Sequence, residues 1–226
     1  MGLPRRELRG QHLSTATCMA LRRAAAASCG SVVAAAAYKR QTDPLHIFWD
    51  LDHTLLCSVS PIPAGDARGS YFDQIDDDFP YEGSVPNTRT FWRPGARAAL
   101  AVCGVFATQH VFTAAQDTYT ANIMRELDGS AFATVTTRDG VPSCVKRGKD
   151  LSLVVGRADR SLLFDDRAKN FRPQRGRNGV LVKPYDRVAT SDAAEMLEMA
   201  RCVGIAFLAL LAPDARDVVD AARREA

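Results

Sequence analysis

The chain has 226 residues, of which 46% are hydrophobic and 24% are charged, values typical of one medium-sized globular domain with a tail. Its formal net charge of +3 is unevenly distributed, because residues 1–43 contain seven basic and two acidic side chains, whereas residues 44–226 contain 22 basic and 24 acidic ones. The predicted folded part is therefore not basic, and direct nucleic-acid binding is not expected.

Residues 1–42 form the first segment, which is rich in alanine, serine and arginine and nearly free of acidic residues. This composition is typical of an organellar transit peptide, so we expect a disordered segment that directs the chain to an organelle, with the mitochondrion as first choice. If the segment contains no targeting signal, the alternative is that the protein is located in the cytoplasm or the nucleus. No apolar run in the chain approaches the ~20 residues of a membrane span, so no transmembrane segment is expected.

The predicted domain covers residues 43–226 and begins with a strand. Residues 45–49 are apolar and rich in strand-forming residues, and Asp50 and Asp52 follow them. Since residues two apart in an extended chain point to the same side, both carboxylates can address one point. Neighbouring carboxylates repel each other unless a cation or a proton relieves the repulsion. Taken alone, the pattern indicates either a ligand site or a solvated acidic turn.

Residues 57–88 contain seven proline and glycine residues, which exclude a long helix. We interpret this segment as an irregular insertion with short hairpin strands. It contains an acidic patch, made of Asp73, Asp76, Asp77, Asp78 and Glu82. The patch is either a solvated loop or a recognition surface for a basic substrate segment.

The rest of the chain alternates between strands and helices. Strands are predicted at residues 109–113, 132–137, 161–164 and 179–182, and helices at 96–102, 117–127, 149–155, from 191 onward and after Pro213. This alternation predicts an α/β fold with a mainly parallel central sheet flanked by helices.

Acidic pairs follow two strands that are far apart in the chain. Asp50 and Asp52 follow the first strand, and Asp165 and Asp166 follow the strand at 161–164. Parallel strands present their carboxyl ends at one edge of a sheet, so these acids can converge there. Four carboxylates at one edge require a hard divalent cation, for which Mg²⁺ is the usual ion.

Two further residues complete the predicted site. Thr113 ends a strand and supplies a hydroxyl, and Lys149 supplies a cation at the start of a predicted helix. Lys146 is a rival for the same role. Carboxylates, Mg²⁺, a hydroxyl and a lysine together indicate phosphoryl transfer, which depends on positioning and charge neutralisation.

These motifs resemble those of the haloacid dehalogenase (HAD) superfamily phosphatases, in the group of RNA-polymerase C-terminal-domain phosphatases and NLI-interacting-factor-like proteins, which share the FCP1 homology domain. The first motif, Asp-x-Asp-x-Thr-Leu, fits residues 50–55, with His53 where the group often has glutamate. The other matching stretches are Arg93-Pro94-Gly95, residues 111–114 with Tyr119, Leu127-Asp128, Lys149-Asp150-Leu151-Ser152 and Asp165-Asp166. The resemblance extends from about residue 45 to residue 219. It implies a HAD-like fold with a small insertion after the first strand in place of a large cap.

The resemblance also implies roles for the site residues. Asp50 would be the nucleophile that forms an aspartyl phosphate, and Asp52 would be the general acid and base. Thr113 and Lys149 would bind the phosphoryl group. Mg²⁺ would be held by the Asp50 side chain, the Asp52 carbonyl, and Asp165 with Asp166, directly or through water.

The substrate that the resemblance implies is a phosphorylated protein or peptide, so the chain is expected to be a protein serine/threonine phosphatase. Two alternatives stay open. One is a non-catalytic presequence-binding receptor that resembles the mitochondrial inner-membrane translocase component. The other is a HAD phosphatase that acts on small molecules.

Overall fold

The computed structural model describes residues 38–59, 71–74, 88–186 and 191–224. Most of the predicted transit segment lies outside these ranges, as do Asp76, Asp77, Asp78 and Glu82 of the acidic patch, so the hypotheses about them stay predictions. Residues 38–42 have helical backbone, and the Arg40 side chain donates hydrogen bonds to carbonyl oxygens of the domain. The end of the predicted transit segment is thus attached to the domain.

The secondary structure follows the predicted alternation. The strands are β1 (Leu45–Trp49), β2 (Leu56–Val59), β3 (Tyr71–Gln74), β4 (Thr88–Trp92), β5 (Ala107–Phe112), β6 (Thr134–Thr136), β7 (Ser161–Asp165) and β8 (Gly179–Leu181). The α-helices are α1 (Ala96–Phe106), α2 (Asp117–Leu127), α3 (Cys144–Arg147), α4 (Asp192–Leu211) and α5 (Ala215–Arg224). Short 3₁₀ helices lie at Gly129–Ala131, Leu151–Leu153, Ala158–Arg160 and Ala168–Gln174.

Five parallel strands form the central sheet, in the order β6-β5-β1-β7-β8. β1 lies in the middle of the sheet and is buried on both faces. Because successive side chains of a strand point to opposite faces, β1 contributes side chains to a core on each side. Leu45, Ile47 and Trp49 join the core beneath α1, α4 and α5, whereas Phe48 joins a second core beneath α3 and two of the 3₁₀ helices. Helical segments therefore cover both faces, which confirms the predicted α/β fold with its mainly parallel sheet.

A second, antiparallel sheet follows β1 in the chain, with the strand order β2-β4-β3. Strand β3 and most of β2 belong to the predicted insertion at residues 57–88, so the insertion does contain short strands. The Arg93 amide donates to the Leu55 carbonyl oxygen at 3.0 Å, which extends the β2–β4 pairing into the loop that directly follows β1. The small sheet is thereby attached beside the carboxyl end of β1.

The prediction of a helix at residues 149–155 is wrong in detail, because that stretch contains only the 3₁₀ helix Leu151–Leu153. Lys149 is fully buried, and its amide donates to the Asn170 carbonyl oxygen at 3.0 Å. Asp150 has extended backbone and accepts a hydrogen bond from the Ser152 amide at 3.0 Å. A tertiary contact therefore overrides the local helical preference at this point.

A buried ion pair joins the small sheet to the longest helix. The Arg93 guanidinium lies 2.7 Å from the Glu195 carboxylate on α4, and both side chains are buried. Arg93 also donates to the carbonyl oxygens of Thr54, at 3.0 Å, and of Lys183, at 2.9 Å. One side chain thus connects α4 with two loops at the carboxyl edge of the sheet.

We expect the substitution Glu195→Ala to destabilise the fold by about 3–5 kcal/mol, because it leaves the Arg93 guanidinium buried without its counter-charge. The free energy of unfolding in urea measures this effect. Glu198→Ala is the matched control on the same helix: Glu198 pairs with Arg201, whose side chain is 41% exposed. The control should lose no more than ~1 kcal/mol. Equal losses in the two variants would contradict the role assigned to the buried pair.

Candidate active site

Three carboxylates meet at the carboxyl edge of the central sheet. Asp50 directly follows β1, Asp165 is the last residue of β7, and Asp166 comes next. β1 and β7 are paired in parallel, and the Asp50 amide donates to the Phe164 carbonyl oxygen at 3.0 Å. One oxygen from each of the three acids lies within 4.8 Å of the others. The structure therefore brings together acids that are 115 residues or more apart in the chain.

Lys149 lies between two of these acids. Its ammonium nitrogen Nζ is 2.6 Å from Asp50 Oδ1 and 2.6 Å from Asp165 Oδ2, and the side chain is fully buried. Lys146, the rival predicted from the sequence, is exposed on α3. The geometry favours Lys149 as the lysine of the site.

Asp165 uses both of its oxygens within the protein. In addition to Lys149, it accepts hydrogen bonds from the Asn170 side-chain amide, at 2.8 Å to each oxygen, and from the Arg167 amide at 2.8 Å. Asn170 is buried in the 3₁₀ helix Ala168–Gln174 and was not singled out from the sequence. The only signal for Asn170 in the sequence is that it is an amide residue shortly after the acidic pair Asp165-Asp166. Asp165 thus holds Lys149 in place.

Asp166 has a different environment. Its amide donates to the Thr54 hydroxyl at 3.1 Å, which connects the loops after β1 and β7. Its side-chain oxygen Oδ1 is buried and has no hydrogen-bond partner among the described residues. Burial, together with the neighbouring Asp165 carboxylate, raises the pKa of Asp166. An acid with a buried, unpaired oxygen beside two other acids is suited to bind a divalent cation.

The charges of the site are strongly coupled. Burial raises the pKa of Asp50 to about 8, the Asp165 and Asp52 carboxylates act in the same direction, and Lys149 opposes them. Burial by itself lowers the pKa of Lys149, but Asp50 and Asp165 outweigh that effect, so its pKa is raised. Lys149 therefore stays charged, while Asp50 needs a further positive charge to be fully ionised at neutral pH.

Asp52 lies beside the carboxylate cluster and is not part of it. Its Oδ1 accepts a hydrogen bond from the Tyr119 hydroxyl on α2, and that hydroxyl lies 2.8 Å from Ser58 Oγ on β2. The next residue, His53, has a φ of 59°, so the chain turns sharply after Asp52. From the sequence, Tyr119 is known only as a motif residue, and its contact with Asp52 appears in the tertiary structure.

His53 itself faces the loop after β8. Its Nδ1 lies 3.1 Å from the Tyr185 carbonyl oxygen, and its own carbonyl oxygen accepts from the Tyr185 amide at 2.7 Å. These bonds hold a non-glycine residue in the left-handed region, which is uncommon but tolerated by histidine. His53 thus shapes the turn that places Asp52.

Thr113 directly follows β5 and is buried next to β1. Its amide donates to the Thr136 carbonyl oxygen at 2.9 Å, and its Oγ1 accepts from the Ala115 amide at 3.1 Å. The hydroxyl and the loop that follows are therefore fixed at the same edge of the sheet as Asp50. This arrangement agrees with the phosphate-binding position predicted for Thr113, a role that stays a prediction.

The family model of the NLI interacting factor-like phosphatases matches residues 45–207, which is most of the chain and includes all six predicted site residues. The chain belongs to this family. Membership in the NLI interacting factor-like phosphatases confirms the resemblance inferred from the sequence, and it confirms the predicted enzyme class. No curated protein sequence matches the chain significantly.

Two solved structures are similar in fold to this NLI interacting factor-like phosphatase. A variant of the fission yeast RNA polymerase II CTD phosphatase Fcp1 bound to beryllium fluoride has a TM-score of 0.54 and 17% identity, and the match covers 74% of this chain and 52% of that chain. A structure titled as Fcp1, an essential RNA polymerase II CTD phosphatase, has a TM-score of 0.54 and 18% identity, with coverages of 74% and 51%. The chain thus spans about half the length of these proteins. Within the described ranges, no helix has the length and hydropathy of a membrane span.

We expect Mg²⁺ to stabilise the folded chain, because a ligand that binds only the native state shifts the unfolding equilibrium. At a Mg²⁺ concentration ~100 times its dissociation constant, the melting temperature of the protein should rise by about 5–10 °C in a calorimetric or fluorescence scan. Asp166→Ala should abolish this shift. The control Asp217→Ala removes an exposed acid on α5 and should keep it. Equal Mg²⁺ shifts in both variants would rule out Asp166 as a ligand.

Proposed function

We propose that this chain is a Mg²⁺-dependent phosphomonoester hydrolase that acts on protein phosphoserine or phosphothreonine through an aspartyl-phosphate intermediate. The observation that carries the proposal is the arrangement around Asp50. This buried carboxylate contacts the Lys149 ammonium at 2.6 Å and lies beside Asp166, which has an unpaired oxygen. Family membership supports the phosphatase class.

In the proposed first step, an Asp50 oxygen attacks phosphorus and the bond between phosphorus and the substrate oxygen breaks. Asp52 donates its proton to the leaving oxygen, so the alcohol departs neutral. In the second step, Asp52 takes a proton from water, which attacks phosphorus and releases inorganic phosphate and free Asp50. Lys149 and Thr113 hold the phosphoryl oxygens during both steps.

The chemistry of the donors fits Mg²⁺, because carboxylate and carbonyl oxygens are its preferred protein ligands. In the proposal, the Asp50 side chain, the Asp52 carbonyl oxygen and Asp166 hold the ion. Asp165, also a predicted ligand, orients Lys149 and reaches the ion through water, since both of its oxygens are already bonded. A bound Mg²⁺ would neutralise charge on the transferring phosphoryl group.

A protein substrate is favoured over a small metabolite by the size of the insertion after β1. Residues 57–88 are too few for a separate cap domain, which would need ~50 residues or more. The similarity in fold to Fcp1, described as a phosphatase of the RNA polymerase II CTD, points the same way. The chain spans only about half the length of those proteins. That its own target is a phosphorylated protein is therefore proposed here and is not carried over from them.

Asp50→Asn tests the proposed nucleophile. It keeps the size of the side chain and removes its nucleophilicity, so hydrolysis of para-nitrophenyl phosphate with Mg²⁺ should fall by at least ~10³-fold while the far-UV spectrum is unchanged. Asp150→Asn is the matched control, because Asp150 caps the turn at Ser152 outside the carboxylate cluster. Retained activity in Asp50→Asn would overturn the mechanism. A wild-type protein inactive on every phosphomonoester would favour the receptor alternative.

Tyr119→Phe tests the assignment of Asp52 as general acid. The variant keeps the ring and removes the hydroxyl that donates to Asp52, so Asp52 is less well placed to protonate a leaving group. We expect a loss of about tenfold in kcat/KM for phenyl phosphate, whose leaving group needs a proton, and almost none for 2,4-dinitrophenyl phosphate.

The control for this experiment is Tyr185→Phe, which removes a buried hydroxyl that contacts a backbone carbonyl, that of Trp92. It should change kcat/KM for both substrates by the same small factor. Equal losses on the two substrates in Tyr119→Phe would show that Tyr119 is merely structural.

A further inference from the structure

Two segments that flank the carboxylate cluster are packed tightly against each other. One is residues 144–149, which end at Lys149, and the other is the 3₁₀ helix Ala168–Gln174. Gly148, with a φ of +95°, makes the close approach possible: a Cβ there would lie 2.8 Å from the Lys169 carbonyl oxygen. The Gln174 side chain also donates to the Lys149 carbonyl oxygen at 2.8 Å. The two segments therefore form one surface.

This surface is unusually basic. Residues 167–183 contain six basic and no acidic side chains, and residues 140–149 contain three basic and none acidic. We give the name basic rim to five of its exposed members, those on or directly before the two packed segments: Lys146, Arg147, Arg167, Lys169 and Arg172. The excess is local, because residues 44–226 as a whole contain two more acidic than basic side chains.

The geometry of the 3₁₀ helix fixes the direction of two rim members. Side chains three residues apart are eclipsed in such a helix, so Lys169 and Arg172 lie on the same side. Asn170 and Phe171 between them are buried, and Asn170 bonds to Asp165. The inner side of the helix thus supports the carboxylates while its outer side presents positive charge.

The rim begins at the carboxylate cluster. The Arg167 guanidinium lies 3.7 Å from Asp166 Oδ2, and its side chain is 54% exposed. The other four members form no ion pair with any residue that the structure describes. At ~2.0 Å per residue, the path from Arg167 to Arg172 is about 10 Å long, which exceeds the size of one phosphate group. The rim therefore has unpaired positive charge beyond the reach of the scissile phosphate.

We propose that the basic rim binds anionic side chains that flank the phosphorylated residue, so that the preferred substrates are peptide segments with acidic residues on either side of it. This inference rests on the proposed function and specifies its substrate class. Positive charge beside a reaction site raises the local concentration of anionic segments and their rate of association. A peptide is favoured over nucleic acid because the rim is confined to one side of a site built for phosphomonoesters.

The test compares three phosphoserine peptides of equal length, with glutamate, alanine or lysine at the flanking positions. For the wild-type protein we expect kcat/KM to be about tenfold higher for the glutamate peptide than for the alanine peptide, and lowest for the lysine peptide, because several exposed ion pairs contribute a few-fold each. The preference should disappear at ~1 M salt, where charges are screened within about 3 Å.

The variant Lys169→Glu/Arg172→Glu should lose this preference while it still hydrolyses para-nitrophenyl phosphate. Arg125→Glu is the matched control, an exposed arginine at the end of α2 and thus near the opposite edge of the sheet. It should keep the wild-type order of peptides. If the double variant does not fold, Lys169→Gln/Arg172→Gln serves the same purpose and should lose most of the preference.

Equal rates on the three peptides, or a preference for lysine, would overturn this inference and leave the phosphatase function standing. If no phosphomonoester is hydrolysed at all, the function fails, and fluorescence anisotropy of the labelled peptides then tests the rim by itself, with tighter binding of the glutamate peptide as the supporting result. Binding of single-stranded RNA more tightly than of the glutamate peptide would assign the rim to nucleic acid and contradict the proposal.

Discussion

The contact on which the site depends is the one between the Lys149 ammonium and the carboxylates of Asp50 and Asp165, each at 2.6 Å. Three acids that lie within 4.8 Å of one another would repel strongly at the buried end of a sheet. The Lys149 ammonium and the half-exposed Arg167 guanidinium, 3.7 Å from Asp166, face these three carboxylates, so the cluster keeps a net negative charge that a divalent cation can neutralise. The protein thus neutralises part of the negative charge of the cluster, and the proposed Mg²⁺ would neutralise the rest.

The position of Lys149 is itself secured by backbone contacts. Its amide and its carbonyl oxygen both bond to the 3₁₀ helix after β7, and Gly148 provides the close approach. The same 3₁₀ helix carries Asn170, which bonds to Asp165 on its inner side. Charge compensation in the site and positive charge on its rim therefore come from one packed unit. A substitution on the buried inner side of that unit, such as one at Asn170, can therefore change catalysis, whereas one on its exposed outer side changes substrate preference.

Two opposite charge patterns flank the site in the chain. The acidic patch of the insertion would suit a basic partner, whereas the basic rim suits an acidic one. The rim is connected to the site through Arg167 and Lys149 by distances that the structure gives, and four of the patch residues lie outside the described part of the chain. For this reason we base the substrate class on the rim. The organellar targeting function expected for residues 1–42 stays a prediction from their composition.

The sequence by itself determined the fold class and the residues of the carboxylate cluster, because strand periodicity and the acids after β1 and β7 are local patterns. The resemblance of Lys149-Asp150-Leu151-Ser152 to the family's lysine motif also favoured Lys149 over Lys146. The tertiary structure alone decided that Asp165 bonds to Lys149 and Asn170 while Asp166 keeps an unpaired oxygen, that Tyr119 donates to Asp52, and that residues 149–155 do not form a helix. These features depend on contacts between segments distant in the chain, which no local pattern encodes.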